Sequence, residues 1–168
     1  MTLAELNAMD RAAFVALLGG IFEHSPWVAE MAWDARPFAT VEALHEAMTA
    51  AVDGAGEAQR LALLCAHPEL AGKAAVRGEL THDSTREQAG ARLDRCSAEE
   101  FVRIQSMNAA YNAKFGFPFI VAVKGLDRVG IIDRFARRLD HDRATEFAEA
   151  LAQVARIARF RLDALIAQ

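Results

Sequence analysis

His67 is followed by Pro68 and Glu69, which places an imidazole at the point where proline pushes the chain out of helical geometry, with a carboxylate beside it. Imidazole titrates near neutral pH, so a histidine at a helix end facing a loop is a candidate for proton transfer. The plain alternative is a helix C-terminal histidine that bonds the last carbonyls. Ser84, Thr85, Arg86 and Glu87 have the form of a capping box, which by itself accounts for both Ser84 and Glu87. A carboxylate close to His67 would also favour the imidazolium form and fix the ring, so capping and catalysis both remain open for Glu87. Arg161 falls on the apolar stripe of the last helical pattern, at the 154, 158, 161, 165 spacing, where a guanidinium needs a partner. An anionic ligand is one such partner; a structural ion pair, or snorkelling from the stripe edge, is another.

These residues need elements to hold them. Apolar residues recur at three- and four-residue intervals almost everywhere, and no alternating stretch is bounded by turns, so the chain reads as all-α. Asp10 caps a helix carrying Phe14, Leu17, Leu18 and Ile21; Ser25-Pro26 opens another, and a short helix through Trp33 follows. Thr40 opens a helix toward Ala51, Gly54-Ala55-Gly56 breaks it, and Glu57 to Ala66 leads up to His67. Ser84-Thr85-Arg86-Glu87 and Ser97-Ala98-Glu99-Glu100 each precede a helical pattern, the second running to Phe115 and stopping at Gly116. Leu126 to Leu139 forms a further helix, and Asp142 is a candidate cap for the last, about Ala144 to Ile166, with Phe147, Leu151, Val154, Ala158, Leu162 and Leu165 on one stripe. Phe115-Gly116-Phe117-Pro118-Phe119-Ile120 is an apolar, glycine-hinged loop suited to a pocket wall. Phe119 to Val123 is rich in β-branched residues but lacks a strand partner, so a buried extended segment or a helix start is expected. Backbone groups not consumed by a helix are then available to a polar ring.

The length of 168 residues suits one core, and a net charge of −4 gives no general attraction to phosphate backbones or anionic lipid. The longest mostly apolar stretch, Ala12 to Phe22, is too short to span a bilayer. Cys65 and Cys96 have no metal-site spacing and are expected to be buried small hydrophobes. His24, His45, His82 and His141 show no metal-ligand pattern, and no metal is expected. Trp27, Trp33, Phe101 and Tyr111 fit core or interface positions better than a stacking platform for nucleic acid. Arg159 is expected to point off the stripe into solvent.

Together with Ser25-Pro26-Trp27-Val28-Ala29-Glu30 and Arg36-Pro37-Phe38, the His67-Pro68-Glu69-Leu70 and Phe115 to Ile120 motifs resemble the 2-oxo-4-hydroxy-4-carboxy-5-ureidoimidazoline (OHCU) decarboxylase family in order and spacing. The resemblance runs from Leu6, Asn7 and Met9 to Arg159-Phe160-Arg161-Leu162. It implies one OHCU decarboxylase-like domain over residues 1–168, a multi-helix bundle with a ligand pocket between helices. The implied activity is that of a carboxy-lyase: cofactor-independent decarboxylation of OHCU to (S)-allantoin, the last step from urate. The resemblance makes His67 and Glu87 catalytic, and makes Pro68, Ser84, Thr85, Arg86, Glu87, Gln88, Phe119, Ile120, Val121, Ala122, Val123 and Arg161 substrate-binding. It further implies a homodimer with no nucleic-acid or membrane partner. The chain ends Ile166-Ala167-Gln168 instead of in a peroxisomal Ser-Lys-Leu-type tripeptide, so a cytoplasmic protein is expected. Two rivals are a helical module that holds a purine-derived ligand or a partner protein without turning it over, and an enzyme of the same fold acting on another ureido or hydantoin acid.

Overall fold

The computed structural model describes residues 1–72, 78–91, 93 and 96–167. Among the described residues the regular structure is all helical, as the three- and four-residue periodicity predicts, and there is no strand. The chain divides into two compact units, one formed by Met1–Ala66 with Val154–Gln168 and the other by His67–Gln153.

The first unit starts with α1 (Leu3–Ala8), closed by a capping box between Thr2 and Glu5, and α2 (Arg11–Leu18), where the Asp10 carboxylate accepts from Ala13 N–H at 2.8 Å. Pro26 opens α3 (Pro26–Ala32) as expected, but the Ser25 hydroxyl makes no cap bond and donates instead to the Glu23 carbonyl at 3.0 Å. Thr40 Oγ1 caps α4 (Val41–Asp53) through Ala43 N–H at 3.1 Å, and α5 (Glu57–Ala66) follows the glycine break. Leu6, Phe14, Leu18, Val28, Leu44 and Met48 are fully buried. Burying each such side chain is worth about 1.5–3 kcal/mol, which is what holds these short helices in place.

The second unit contains α6 (His82–Gly90), α7 (Ala98–Phe115), α8 (Arg128–Arg138) and the start of α9 (Arg143–Leu165), which continues past Gln153 into the first unit. The Ser97 capping box forms in full: Ser97 N–H donates to Glu100 Oε2 at 2.8 Å and Glu100 N–H to Ser97 Oγ at 3.1 Å. Gly116 ends α7 at φ +81°, a left-handed C-terminal position where only glycine is free of a Cβ clash. Tyr111, Phe115, Phe117, Phe119 and Phe135 form an aromatic core.

Some expectations need correcting. The capping residue of α6 is Thr81, not Ser84, because Thr81 Oγ1 accepts from Ser84 N–H at 3.3 Å; the helix begins before the Ser-x-x-Glu pattern, and Ser84 is buried in its first turn. The buried face of α9 runs through Glu146, Ala150, Gln153, Val154, Ile157, Ala158, Arg161 and Leu162, so Phe147, Leu151 and Leu165 lie only at its margin. The polar residues on this buried face, Glu146, Gln153 and Arg161, each have a partner. Cys65 is exposed and Cys96 half-buried, and neither is a core residue. Phe101 is also exposed.

Replacing Ser97 with alanine removes one half of the capping box and is expected to lower stability by about 1 kcal/mol, read from urea unfolding of Ser97→Ala against the parent.

Candidate active site

α5 stops at Ala66, and His67 occupies a bend immediately after it, 7% exposed. The turn that follows has no helix to absorb its peptide groups. Gln88 from α6 spans it, with Oε1 accepting from Ala71 N–H at 3.0 Å and Nε2 donating to the Glu69 carbonyl at 3.3 Å. From α7, Gln105 Nε2 donates to the Ala71 carbonyl at 2.6 Å and Asn108 Nδ2 to the Leu70 carbonyl at 3.1 Å. Asn112 Nδ2 donates to the Glu69 carboxylate at 2.5 Å. Ala71 sits at φ +48°, a left-handed conformation that costs a residue with a Cβ about 1–2 kcal/mol. Both its N–H and its C=O are held by glutamine amides, which is how the strain is sustained. A Cβ on the next residue, Gly72, would lie 2.7 Å from Glu69 Cβ, so the close return of the turn requires glycine there. His67 is thus carried on a rigid, side-chain-clamped turn.

The expected ligand stretch on α6 is split by helical geometry. Ser84, Glu87 and Gln88 share one face, with Ser84 and Gln88 buried and Glu87 half-buried, while Thr85 and Arg86 are exposed. Arg86 pairs with Asp83 at 2.9 Å, and the Thr85 hydroxyl donates to the Thr81 carbonyl at 2.9 Å. The N–H groups of Ser84 and Thr85 are both taken by Thr81. His67 and Glu87 belong to the same unit. A cavity of about 460 Å³ borders this clamp, lined by Ala71, Thr85, Gln88, Leu93, Cys96 and Phe101 among others. Neither His67 nor Glu87 is among the residues that line it.

Phe119 to Val123 is buried, outside any helix and without a ladder, as expected of an extended segment. The Phe119 ring stacks on Phe135 at 3.9 Å and meets the edge of Tyr111 at 5.5 Å. Phe117, 1% exposed, packs edge-on against Tyr111 at 5.9 Å and Phe147 at 5.8 Å. Part of the backbone is already engaged: Arg138 Nη1 donates to the Ile120 carbonyl at 2.6 Å, and Ala122 N–H donates to Gln153 Oε1 at 2.9 Å. Arg138 is fixed in turn by Glu146, which accepts from its Nε at 2.7 Å. Nη2 approaches the same oxygen at 2.5 Å without the alignment of a second bond. Glu146 also accepts from the Tyr111 hydroxyl and meets His141 Nδ1 at 2.9 Å. Burial, and then the bond to this carboxylate, push the Tyr111 phenol well above its ordinary range.

Arg161 lies in the first unit, 5% exposed. Its Nη1 donates to Glu23 Oε2 at 2.8 Å and to the Gly20 and Ile21 carbonyls at 3.3 and 3.4 Å. The partner that its position on the stripe demanded therefore includes a buried carboxylate of the chain itself. Arg159, expected in solvent, is ion-paired to Glu42 and, at 2.8 Å, to Asp163. His45 bonds the Ala155 carbonyl at 2.8 Å, and among the described residues no cluster of histidine, cysteine and acid could hold a metal ion.

The clamp residues Gln105, Asn108 and Asn112, and the pair Arg138 and Glu146, were not foreseen. Asn108 had a usable signal, because it lies on the same helical face as Ile104, Tyr111 and Phe115, where an amide must find a partner.

A family model described as OHCU decarboxylase matches residues 7–163. The 2-oxo-4-hydroxy-4-carboxy-5-ureidoimidazoline decarboxylase of Haloferax volcanii is 44% identical over 162 residues, 96% of this chain and 94% of that protein. The uric acid degradation bifunctional protein of Bacillus subtilis is 40% identical over 167 residues, covering 99% of this chain and 33% of that protein. Among solved structures, an (S)-allantoin synthase aligns with a TM-score of 0.80 at 32% identity, covering 99% of this chain and 54% of the other. The chain spans about half the length of that synthase and a third of the bifunctional protein.

Gln88→Met leaves the Ala71 N–H and the Glu69 carbonyl without these partners and is expected to cost about 1–3 kcal/mol in urea unfolding. Tyr111 is the chain's single tyrosine, so phenolate absorbance reports it directly. Its pKa is raised in the folded state, so the unfolded chain loses this proton first. Stability from this group is complete below about pH 10 and declines as pH rises beyond it, a slope expected in the parent and absent from Tyr111→Phe.

Proposed function

The chain belongs to the OHCU decarboxylase family, and from that premise we propose that it is a carboxy-lyase converting OHCU to (S)-allantoin, the closing step from urate. The observation that carries the assignment to residues is the clamped turn, which holds a buried imidazole at a helix end in the unit that also contains Glu87. Breaking the bond to the carboxylate carbon leaves an electron pair on the ring carbon as carbon dioxide departs. The conjugated ring of OHCU takes up that charge itself, so the reaction in this reading calls on the protein for orientation, desolvation and a proton, with no cofactor. His67 delivers the proton to one face of the carbon, which makes the product one-handed. Glu87 favours the charged imidazole and orients it.

Pro68 ends the helix ahead of the turn, and Ser84 and Gln88 present the inward face of α6 to the ureido group. Thr85 and Arg86 contribute from the exposed side of that helix. Ile120 to Val123, with Phe119, offer backbone groups to the ring. Arg161 supplies a cationic anchor for the substrate's anionic substituents, its guanidinium oriented by Glu23. The proposal extends to one functional domain over residues 1–168 working as a homodimer in the cytoplasm. Among the described residues no helix is long and apolar enough to cross a membrane.

The decisive experiment mixes the protein with freshly generated OHCU and follows rate and optical activity of allantoin together, since OHCU also decays unaided. The parent is expected to give fast, one-handed product. His67→Asn is expected to lose about 10²–10⁴ in rate and the handedness with it. A folded His67→Asn protein that decarboxylates at the parent rate overturns the role given to His67. No acceleration by the parent favours a binding module, and acceleration only of another ureido or hydantoin acid favours a different substrate.

A further inference from the structure

The two bonds made to the Ile120 to Ala122 backbone have a directional consequence. A trans peptide is planar, with its C=O and N–H pointing opposite ways. Arg138 takes the Ile120 carbonyl, so the Val121 N–H in the same peptide is turned away from Arg138. Gln153 takes the Ala122 N–H, so the Val121 carbonyl in that peptide is turned away from Gln153. Both peptide groups of Val121 are thereby directed off the helices that hold its neighbours. Val121 is 3% exposed, and among the described residues no hydrogen bond reaches its N–H or its C=O. Buried backbone groups without partners are rare, and such groups require an explanation.

The clamping side chains are themselves fixed. Gln153 donates from Nε2 to Glu149 at 2.8 Å, which sets its carbonyl oxygen toward Ala122. Arg138 is held by Glu146 and lies with its guanidinium carbon 4.5 Å from the centre of the Phe119 ring.

We infer that Arg138 and Gln153 are positioning residues for the reaction: by holding Ile120 and Ala122 they turn the adjacent donor and acceptor of Val121 toward the substrate, where they pair with an amide-like edge of its ring or ureido arm. This rests on the assignment of OHCU as substrate. A donor and an acceptor on one residue match the N–H and C=O of a cyclic urea, which no single side-chain carboxylate or amine can do. Ground-state recognition of this kind acts on KM more than on kcat.

The test compares steady-state kinetics on OHCU for the parent, Gln153→Met, a Val121 ester variant in which a backbone oxygen replaces the Val121 N–H, and the two combined. Gln153→Met and the ester are each expected to raise KM about tenfold while kcat changes less than about threefold. Combined, they are expected to raise KM about a hundredfold, because Gln153 sets the Val121 carbonyl whereas the ester removes the Val121 N–H, and the two contacts are separate. Arg138→Lys, too short to reach both Glu146 and Ile120, serves where Gln153→Met does not fold. Ile104→Val, a loss of core packing elsewhere in the unit, is expected to lower Tm and leave KM unchanged. Normal turnover by the parent with an unchanged KM in Gln153→Met overturns the positioning role alone. So does a KM increase of the same size in Ile104→Val, or a combined variant no worse than either single change. A parent that does not accelerate OHCU decarboxylation overturns the functional assignment, and the positioning role falls with it.

Discussion

A buried peptide group must find a hydrogen-bond partner, and in an all-helical chain the helices consume nearly all of their own. Wherever the chain leaves helical geometry without leaving the interior, side chains have to complete the bonding. The His67 turn and the Phe119 to Val123 segment are two such places. Each is stripped of helix by its own sequence, through Pro68 in the first case and through Gly116 and Pro118 in the second. Each is then bound by polar side chains from neighbouring helices: Gln88, Gln105 and Asn108 on one, Arg138 and Gln153 on the other. An unmade bond of this kind costs about 1–3 kcal/mol, comparable to deleting part of a core side chain, so these clamps are as constraining as apolar packing.

That requirement narrows the conformations open to both segments. Loops exposed to water can satisfy their peptides in many conformations, whereas a buried segment tied at successive peptides has few. Ala71 is the extreme case, kept in a left-handed conformation by amides on both of its peptide groups. The turn is continuous with His67, and in the acid-base role proposed for that residue an orientation that does not have to be recovered at each turnover is worth most.

Much of the helical frame was legible because caps are local. Asp10, Thr40, Ser97 and Gly116 bond within a few residues of themselves, so their types and spacing carry the answer. The position of His67 at a helix end followed from Pro68 in the same way. Ser84 misled because Thr81, three residues earlier, competes for the same role, and a Ser-x-x-Glu spacing does not say which hydroxyl faces outward. Arg159 and Arg161, two residues apart, look alike in composition; their ion-pair partners Glu42 and Glu23 are remote in sequence and invisible to periodicity. The amide clamp was illegible for a related reason. Gln105 and Asn112 read as the polar side of an amphipathic helix until the turn they hold is known to lie against them, and Asn108, on the apolar face, signals a partner without naming it.

Two buried ion pairs remain to be explained, Arg138 with Glu146 and Arg161 with Glu23, whose side chains are at most 8% exposed. Stability is a poor reason for either, since desolvating both charges offsets most of their attraction, and apolar residues of equal volume often serve as well or better. What apolar residues cannot do is donate to a carbonyl. Arg138 spends one nitrogen on Ile120 and Arg161 one on Gly20 and Ile21, so in both cases the carboxylate anchors a guanidinium that in turn holds non-helical backbone. The charge pair is the means of placing a multivalent donor in the interior, and the backbone it directs is what gives the pair its value. Glu146 shows the logic most fully: one buried carboxylate organises Arg138, Tyr111 and His141 at once, so loss of its charge would release the guanidinium, the phenol and the segment behind them together.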